Sequence, residues 1–190
     1  MENALAAERT LADAVAAADA QLAPAPVAGP IGGSEAGRFL LVSLASTDYA
    51  VAQSCVTEID RVPAMTGVPG TPAWLSGVTN LRGDILSVID LRAFAGLDGR
   101  SPLMARMLVT RLPDDDFLAG LIVDGVDRIV AIPHDAIRPP AAPLDGPLAA
   151  YVRGVCAVGE RLVAVLDLDR LLRSPDIRQF DEPVDSSEKD

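Results

Sequence analysis

Apolar residues in this chain fall in short aliphatic runs separated by Gly, Pro, Asp and Ser, a spacing that predicts strands and tight turns. Residues 39–44 read as a strand, 46–48 as a turn, and 49–51 as the start of a second strand. Residues 56–62 form a further extended segment, with Glu58, Asp60 and Arg61 set among apolar positions. A Pro/Gly-rich loop covers 63–72, and Trp74 and Leu75 anchor its far end. Residues 78–81 and 85–89 then pair as a hairpin across Gly83-Asp84, because Gly accepts positive φ and Asp bonds its own backbone. Asp90 stands at an N-cap position ahead of a helical turn from Leu91 that ends at Gly96. The later half reads in the same way, with strands over 103–112, 117–123 and 126–132 and turns at 113–116 and Asp124-Gly125. A long Pro-rich loop occupies 133–147. A second hairpin pairs 151–158 with 161–166, and Asp167 caps a last helical segment over 168–173.

The two hairpins are copies of one pattern. Placing Gly77 on Gly154 brings Val88-Ile89-Asp90-Leu91 onto Val165-Leu166-Asp167-Leu168. At a shift shorter by ten, Ile59-Asp60-Arg61-Val62 meets Val126-Asp127-Arg128-Ile129. Two matches in the same order imply two similar units of about five short strands, spaced as in small barrels. Each unit is expected to close on itself and protect its edges, with a binding groove between the two. The unit boundary is expected near 97–103.

Flanking segments read differently. Residues 1–36 combine an Ala-rich stretch, with Leu11, Val15, Ala18 and Leu22 on one helical face, and a Pro/Gly linker. Residues 37–174 hold the β units. Residues 175–190 are acidic with Pro and Ser and read as a disordered tail.

Composition narrows the function. A chain of 190 residues buries roughly 70% of its unfolded surface, so no metal or disulfide is needed to hold it. The net charge of −11 argues against nucleic acid, whose phosphates require clustered Lys and Arg. Cys55 and Cys156 lie far apart and read as two buried small hydrophobes. His134, the only histidine, falls in a loop. The Asp114-Asp115-Asp116 run reads as a solvated turn. Phosphate-binding glycine motifs, a nucleophile elbow and a zinc-ligand set are missing. No secretory leader or membrane-length apolar run stands in the sequence, so direct membrane insertion is not expected and the cytoplasm is the default. The reading is of a binding module with no catalytic, cofactor or metal residues.

Several of these pieces resemble the CheW family of chemotaxis coupling proteins. They are Val56-Thr57-Glu58-Ile59, Pro69-Gly70-Thr71-Pro72, Asn80-Leu81-Arg82-Gly83 with Asp90-Leu91, Val123-Asp124-Gly125-Val126 and Ile137-Arg138-Pro139. The resemblance covers about residues 38–173. It implies an all-β fold of two SH3-like five-stranded barrels with short helices. It also implies a non-catalytic adaptor linking chemoreceptor cytoplasmic tips to the regulatory domain of a CheA-type histidine kinase, recruited to membrane-associated receptor arrays. The kinase would sit on an end of the first barrel and the receptor in the groove between barrels.

By that resemblance Glu58 and Arg82 form a charged pair, and Val56 and Gly77 match positions tied to receptor coupling. A structural reading stands beside each: local geometry for the ion pair, core for Val56, and positive φ or close packing for Gly77. Ser87 departs from the family, which usually has Pro there. In the second copy Asn80 becomes Ala157 and Arg82 becomes Gly159, so Asn80 and Arg82 are the hairpin residues expected to serve recognition. Two alternatives stay open. One is an interaction module of the same fold in another sensory pathway, such as surface motility or second-messenger control. The other is a small enzyme or ligand-binding barrel, which would need a deep polar pocket.

Overall fold

A computed structural model describes residues 36–97, 99, 102–112, 114–141, 144 and 146–180. The described strands are β1 (Ala36–Leu44), β2 (Thr47–Ala52), β3 (Val56–Arg61), β4 (Leu75–Leu81), β5 (Asp84–Asp90), β6 (Arg106–Arg111), β7 (Leu118–Val123), β8 (Gly125–Pro133), β9 (Val152–Val158) and β10 (Arg161–Leu166). They form two five-stranded sheets. Sheet I has the order β8-β1-β2-β10-β9, and sheet II the order β3-β6-β7-β5-β4. The α-helices among the described residues are single turns at Leu91–Phe94, Leu168–Leu172 and Pro175–Arg178. The expected all-β architecture is the observed one.

The repeat is present, but its two copies do not fold one after the other. Mapping β1–β5 onto β6–β10 converts the order of sheet I into that of sheet II. Each copy gives its first hairpin to one sheet and its last three strands to the other. The expected boundary near 97–103 is therefore corrected: the chain enters sheet I, builds sheet II from β3 to β7, and returns. The chain changes sheet over two short links: only Gln53–Cys55 joins β2 to β3, and only Asp124 joins β7 to β8.

Each sheet is closed by one isolated bridge, Thr66 to Val78 in sheet II and Arg138 to Val155 in sheet I. At both bridges the paired amides and carbonyls exchange hydrogen bonds of 2.7–2.9 Å. Beside them sit Gly77 and Gly154, the residues that align the repeat. A Cβ on Gly77 would collide with the Thr66 carbonyl, and one on Gly154 would come within 2.6 Å of the Arg138 carbonyl. Gly77 also has φ +137°. Glycine is required here because two backbones must meet where the sheet closes.

Strand alternation divides the core. One face of sheet I packs Phe39, Leu41, Ile132, Cys156, Val163 and Val165, and one face of sheet II packs Val88, Met107, Val109 and Ile122. The largest cluster lies between the sheets and draws on both, with Leu40, Val42, Tyr49 and Leu166 from sheet I against Ile89, Leu108, Leu121 and Val123 from sheet II. Tyr49, 2% exposed, has its phenol pushed well above the usual range by burial. Cys55 and Cys156 are buried and unbridged, and burial raises both thiols, Cys156 to about 11.

Asp90 caps its helical turn through the amides of Arg92 and Ala93, and Asp167 caps the other through Arg170. Arg92 reaches 2.6 Å to Asp124 at the crossing between sheets, and that carboxylate also accepts from the Ala45 amide. The start of the expected acidic tail is corrected. Pro175–Arg178 is helical, with Ile177 2% exposed, because Ile177 and Phe180 find apolar cover against the inter-sheet core. Residues 181–190, and the expected helix and linker over 1–35, lie outside the described residues.

Candidate interaction site

The hairpin between β4 and β5 turns one residue earlier than expected. Leu81 pairs with Asp84, so the loop is Arg82-Gly83 and Asp84 opens β5. Both loop residues have positive φ, +56° for Arg82 and +102° for Gly83, as a type I′ loop requires. The Asn80 side-chain oxygen accepts from the Gly83 amide at 3.0 Å and fastens the turn. Gly159 occupies the corresponding place in the second hairpin, with φ +63°. One copy thus uses glycine where the other holds an arginine in a left-handed conformation. For an L-residue that conformation costs about 1–2 kcal/mol.

Arg82 reaches from this turn to Glu58 on β3, 2.7 Å away. The Arg82 side chain is 75% exposed. An ion pair so open to water contributes at most about 1 kcal/mol, which does not exceed the cost of the backbone that carries it. Stability alone therefore gives no reason to hold an arginine here.

The pair lies at the mouth of a hollow of about 310 Å³ on sheet II. Leu81, Leu86, Val109 and Leu118 form its apolar lining; Glu58, Arg82, Asp84 and Arg111 supply charge at its edge. Asn80 supports the turn from outside. Val56 and Gly77 are not part of the hollow. Val56 is half-buried against the inter-sheet core at a bulge in the β3–β6 pairing, and Gly77 serves the sheet closure. Between the sheets, where a groove was expected, lies a buried core drawn from both. Arg111 was not legible from the sequence. It joins the site only because β3 pairs with β6, about fifty residues on, where Glu58 faces Val109.

Sheet I has a related tie that the comparison of Arg82 with Gly159 hides. Arg161, two residues further on, bonds Asp127 on β8 at 2.6 Å and Asp48 at 3.0 Å. The Arg161 hydrogen bond holds the Asp127 carboxyl below the usual carboxylate range. The polar pairing is thus not confined to the first copy, although the left-handed arginine is.

Among the described residues no group of three or more His, Cys, Asp or Glu is placed to hold a metal ion. His134 is exposed in a one-turn helix. Asp114 and Asp115 pair with Arg173 and Arg178, and Asp116 with Arg111. No described helix is long and apolar enough to cross a membrane.

Two interleaved five-stranded sheets with a charged hairpin corner define a doubled SH3-like β module. The CheW-like domain family model matches residues 38–176. Chemotaxis protein CheW of Klebsiella aerogenes is 31% identical over 148 residues, covering 78% of this chain and 89% of that protein. Protein PilI of Pseudomonas aeruginosa is 36% identical over 100 residues, covering 53% of this chain and 56% of that protein. The crystal structure of the scaffolding protein TtCheW from Thermoanaerobacter tengcongensis superposes with a TM-score of 0.65 at 27% identity, covering 78% of this chain and 96% of that one. The chain belongs to the CheW-like family of chemosensory adaptor proteins.

Proposed function

We propose that this chain is a non-catalytic adaptor that couples chemoreceptor cytoplasmic tips to the regulatory domain of a CheA-type histidine kinase. It would act in the cytoplasm, at membrane-associated receptor arrays. Family membership supports the adaptor role. The observation that carries the site assignment is Arg82, held in a strained turn for an ion pair too exposed to compensate. Backbone strain maintained without a stability return marks a functional position. The apolar lining of the hollow would seat a side chain from a receptor helix, and Arg82, Glu58 and Asp84 would fix its register. Asn80 holds the turn in shape. Gly77 and Val56 act on the site indirectly, through sheet closure and core packing.

Coupling requires that the adaptor contact its partners differently in the kinase-on and kinase-off arrangements. Replacing Arg82 by Glu sets it against Glu58 and reverses the charge at the mouth of the hollow. The expected result is at least a tenfold loss of binding to a purified receptor-tip fragment, about 1.4 kcal/mol, with the thermal transition little changed. Full retention of binding to both receptor tip and kinase domain would remove Arg82 from the site.

A further inference from the structure

A second hollow, of about 800 Å³, opens on sheet II where β6 begins. Val62, Met65, Leu103, Met104 and Ile122 give it an apolar lining. Three of the chain's four methionines gather at this place, and they differ in access to water. Met104 is 69% exposed, and Leu103 beside it is also bare to solvent. Met65 is half-buried. Met107 is 1% exposed, in the cluster against which Met65 packs. A thioether closed inside a core is shielded from dissolved oxidants, whereas an open one is not.

Two guanidiniums share the hollow with Met104. Arg61 and Arg106 stand directly opposite each other in the β3–β6 pairing. Like charges in that position destabilise a sheet. Neither arginine pairs with a carboxylate among the described residues. Asp90 also lines the hollow, where it caps its own helical turn. Arg106 turns back toward Met104 and donates to its backbone carbonyl at 2.9 Å, and to that of Ala105 at 3.1 Å, through the same nitrogen. Charged donors are thus gathered around an exposed side chain whose sulfur accepts only weakly.

We infer that Met104 is a reversible oxidation site read by this arginine pair. Hydrogen peroxide is the oxidant. The sulfur lone pair attacks one peroxide oxygen, the S–O bond forms as the O–O bond breaks, and the departing hydroxide takes the remaining proton and leaves as water. The sulfur loses two electrons and the peroxide gains them. A sulfoxide is polar and carries a good acceptor oxygen. The Arg106 and Arg61 guanidiniums donate to it, and their charge strengthens the bonds. The oxidised side chain is drawn onto the hollow, and two repelling cations gain a shared acceptor. Oxidation at Met104 therefore orders the rim, whereas a sulfoxide at Met107 would disrupt the core. A methionine sulfoxide reductase reverses the step, two thiols becoming a disulfide as the oxygen leaves as water.

The test uses the full chain, treated with graded hydrogen peroxide and digested for mass spectrometry. Met104 should oxidise about tenfold faster than Met107 or more, with Met65 between them, and Met104 and Met107 should react alike in urea. In chain labelled with ¹³C at the methionine methyls, the Met104 sulfoxide methyl should be less mobile than the thioether methyl it replaces. Sulfoxide reductase with a thiol should restore the first spectrum. The ordering should vanish in Arg61→Ser/Arg106→Ser, with strand amide shifts kept, and the fast reaction should vanish in Met104→Leu. Three outcomes would overturn the inference: oxidation of Met104 no faster than that of Met107, a sulfoxide methyl as mobile as the thioether, or ordering that persists without the two arginines.

Discussion

Single residues in this molecule divide by whether the backbone or a partner dictates them. Gly77 and Gly154 are dictated by backbone, since each lets two chains meet where a sheet closes. Gly77→Ala places a Cβ against the Thr66 carbonyl and is expected to cost more than about 2 kcal/mol. Gly159→Ala, at positive φ but facing open space, should cost only about 1 kcal/mol. Urea midpoints of the two variants check the ordering; equal costs would contradict the closure role. Asp124 is dictated by a partner. Its side chain is 9% exposed and serves both Arg92 and the Ala45 amide. Asp124→Ala leaves Arg92 without this carboxylate and should destabilise by about 3–5 kcal/mol, read from the same denaturation curves.

Among the elements, the helical turn Pro175–Arg178 fastens the end of the described chain across the β6–β7 turn. Arg178 pairs with Asp115 and lies 4.3 Å from the centre of the Phe117 ring, and Arg173 pairs with Asp114. Phe180 meets Trp74 edge-on at 5.6 Å, so the only tryptophan reports on this contact. The Phe117 amide and the Arg178 guanidinium hold the Asp115 carboxyl below the usual range. A depressed carboxyl pKa stabilises the folded form above the unfolded pKa of about 3.9. That contribution is lost as pH falls through the lower folded value. Trp74 fluorescence should therefore shift toward a solvent-exposed spectrum in acid, below about pH 4. Asp115→Asn should show part of that shift already at neutral pH. An unchanged neutral spectrum in Asp115→Asn would mean that apolar contacts hold the turn alone.

At the scale of the whole molecule, the shared core and the exchanged strands make the two barrels one folding unit. Each sheet lacks strands when either sequence repeat is missing. Heat unfolding should be a single transition with equal calorimetric and van't Hoff enthalpies; two separable transitions would contradict the shared core. This exchange also marks the limit of what the sequence reveals. Strand positions, both aspartate caps and the repeat were legible because alternation, N-cap chemistry and glycine spacing are local signals. Which copy supplies which sheet rests on pairings distant in sequence, β2 with β10 and β5 with β7, and only the assembled sheets show them. The site was half legible for the same reason. Glu58, Asn80 and Arg82 stand in a recognisable pattern, and Glu58 and Arg82 do meet. Val56 and Gly77 share that pattern and lie outside the hollow, at core packing and sheet closure, whereas Arg111 lines it through long-range pairing. The Pro175–Arg178 turn was misread because acidic composition outweighed Ile177 and Phe180, whose cover comes from distant residues.

The central claim is that the hairpin corner keeps Arg82 for recognition at some cost in stability, and Arg82→Gly tests it most directly. Glycine is what the second copy uses at the matching turn, so the fold tolerates it there. Measured side by side, the urea midpoint of Arg82→Gly should stay level or rise, while its affinity for a receptor-tip fragment should fall at least tenfold. An unchanged affinity, or a loss of affinity matched by a fall in stability, would contradict the account.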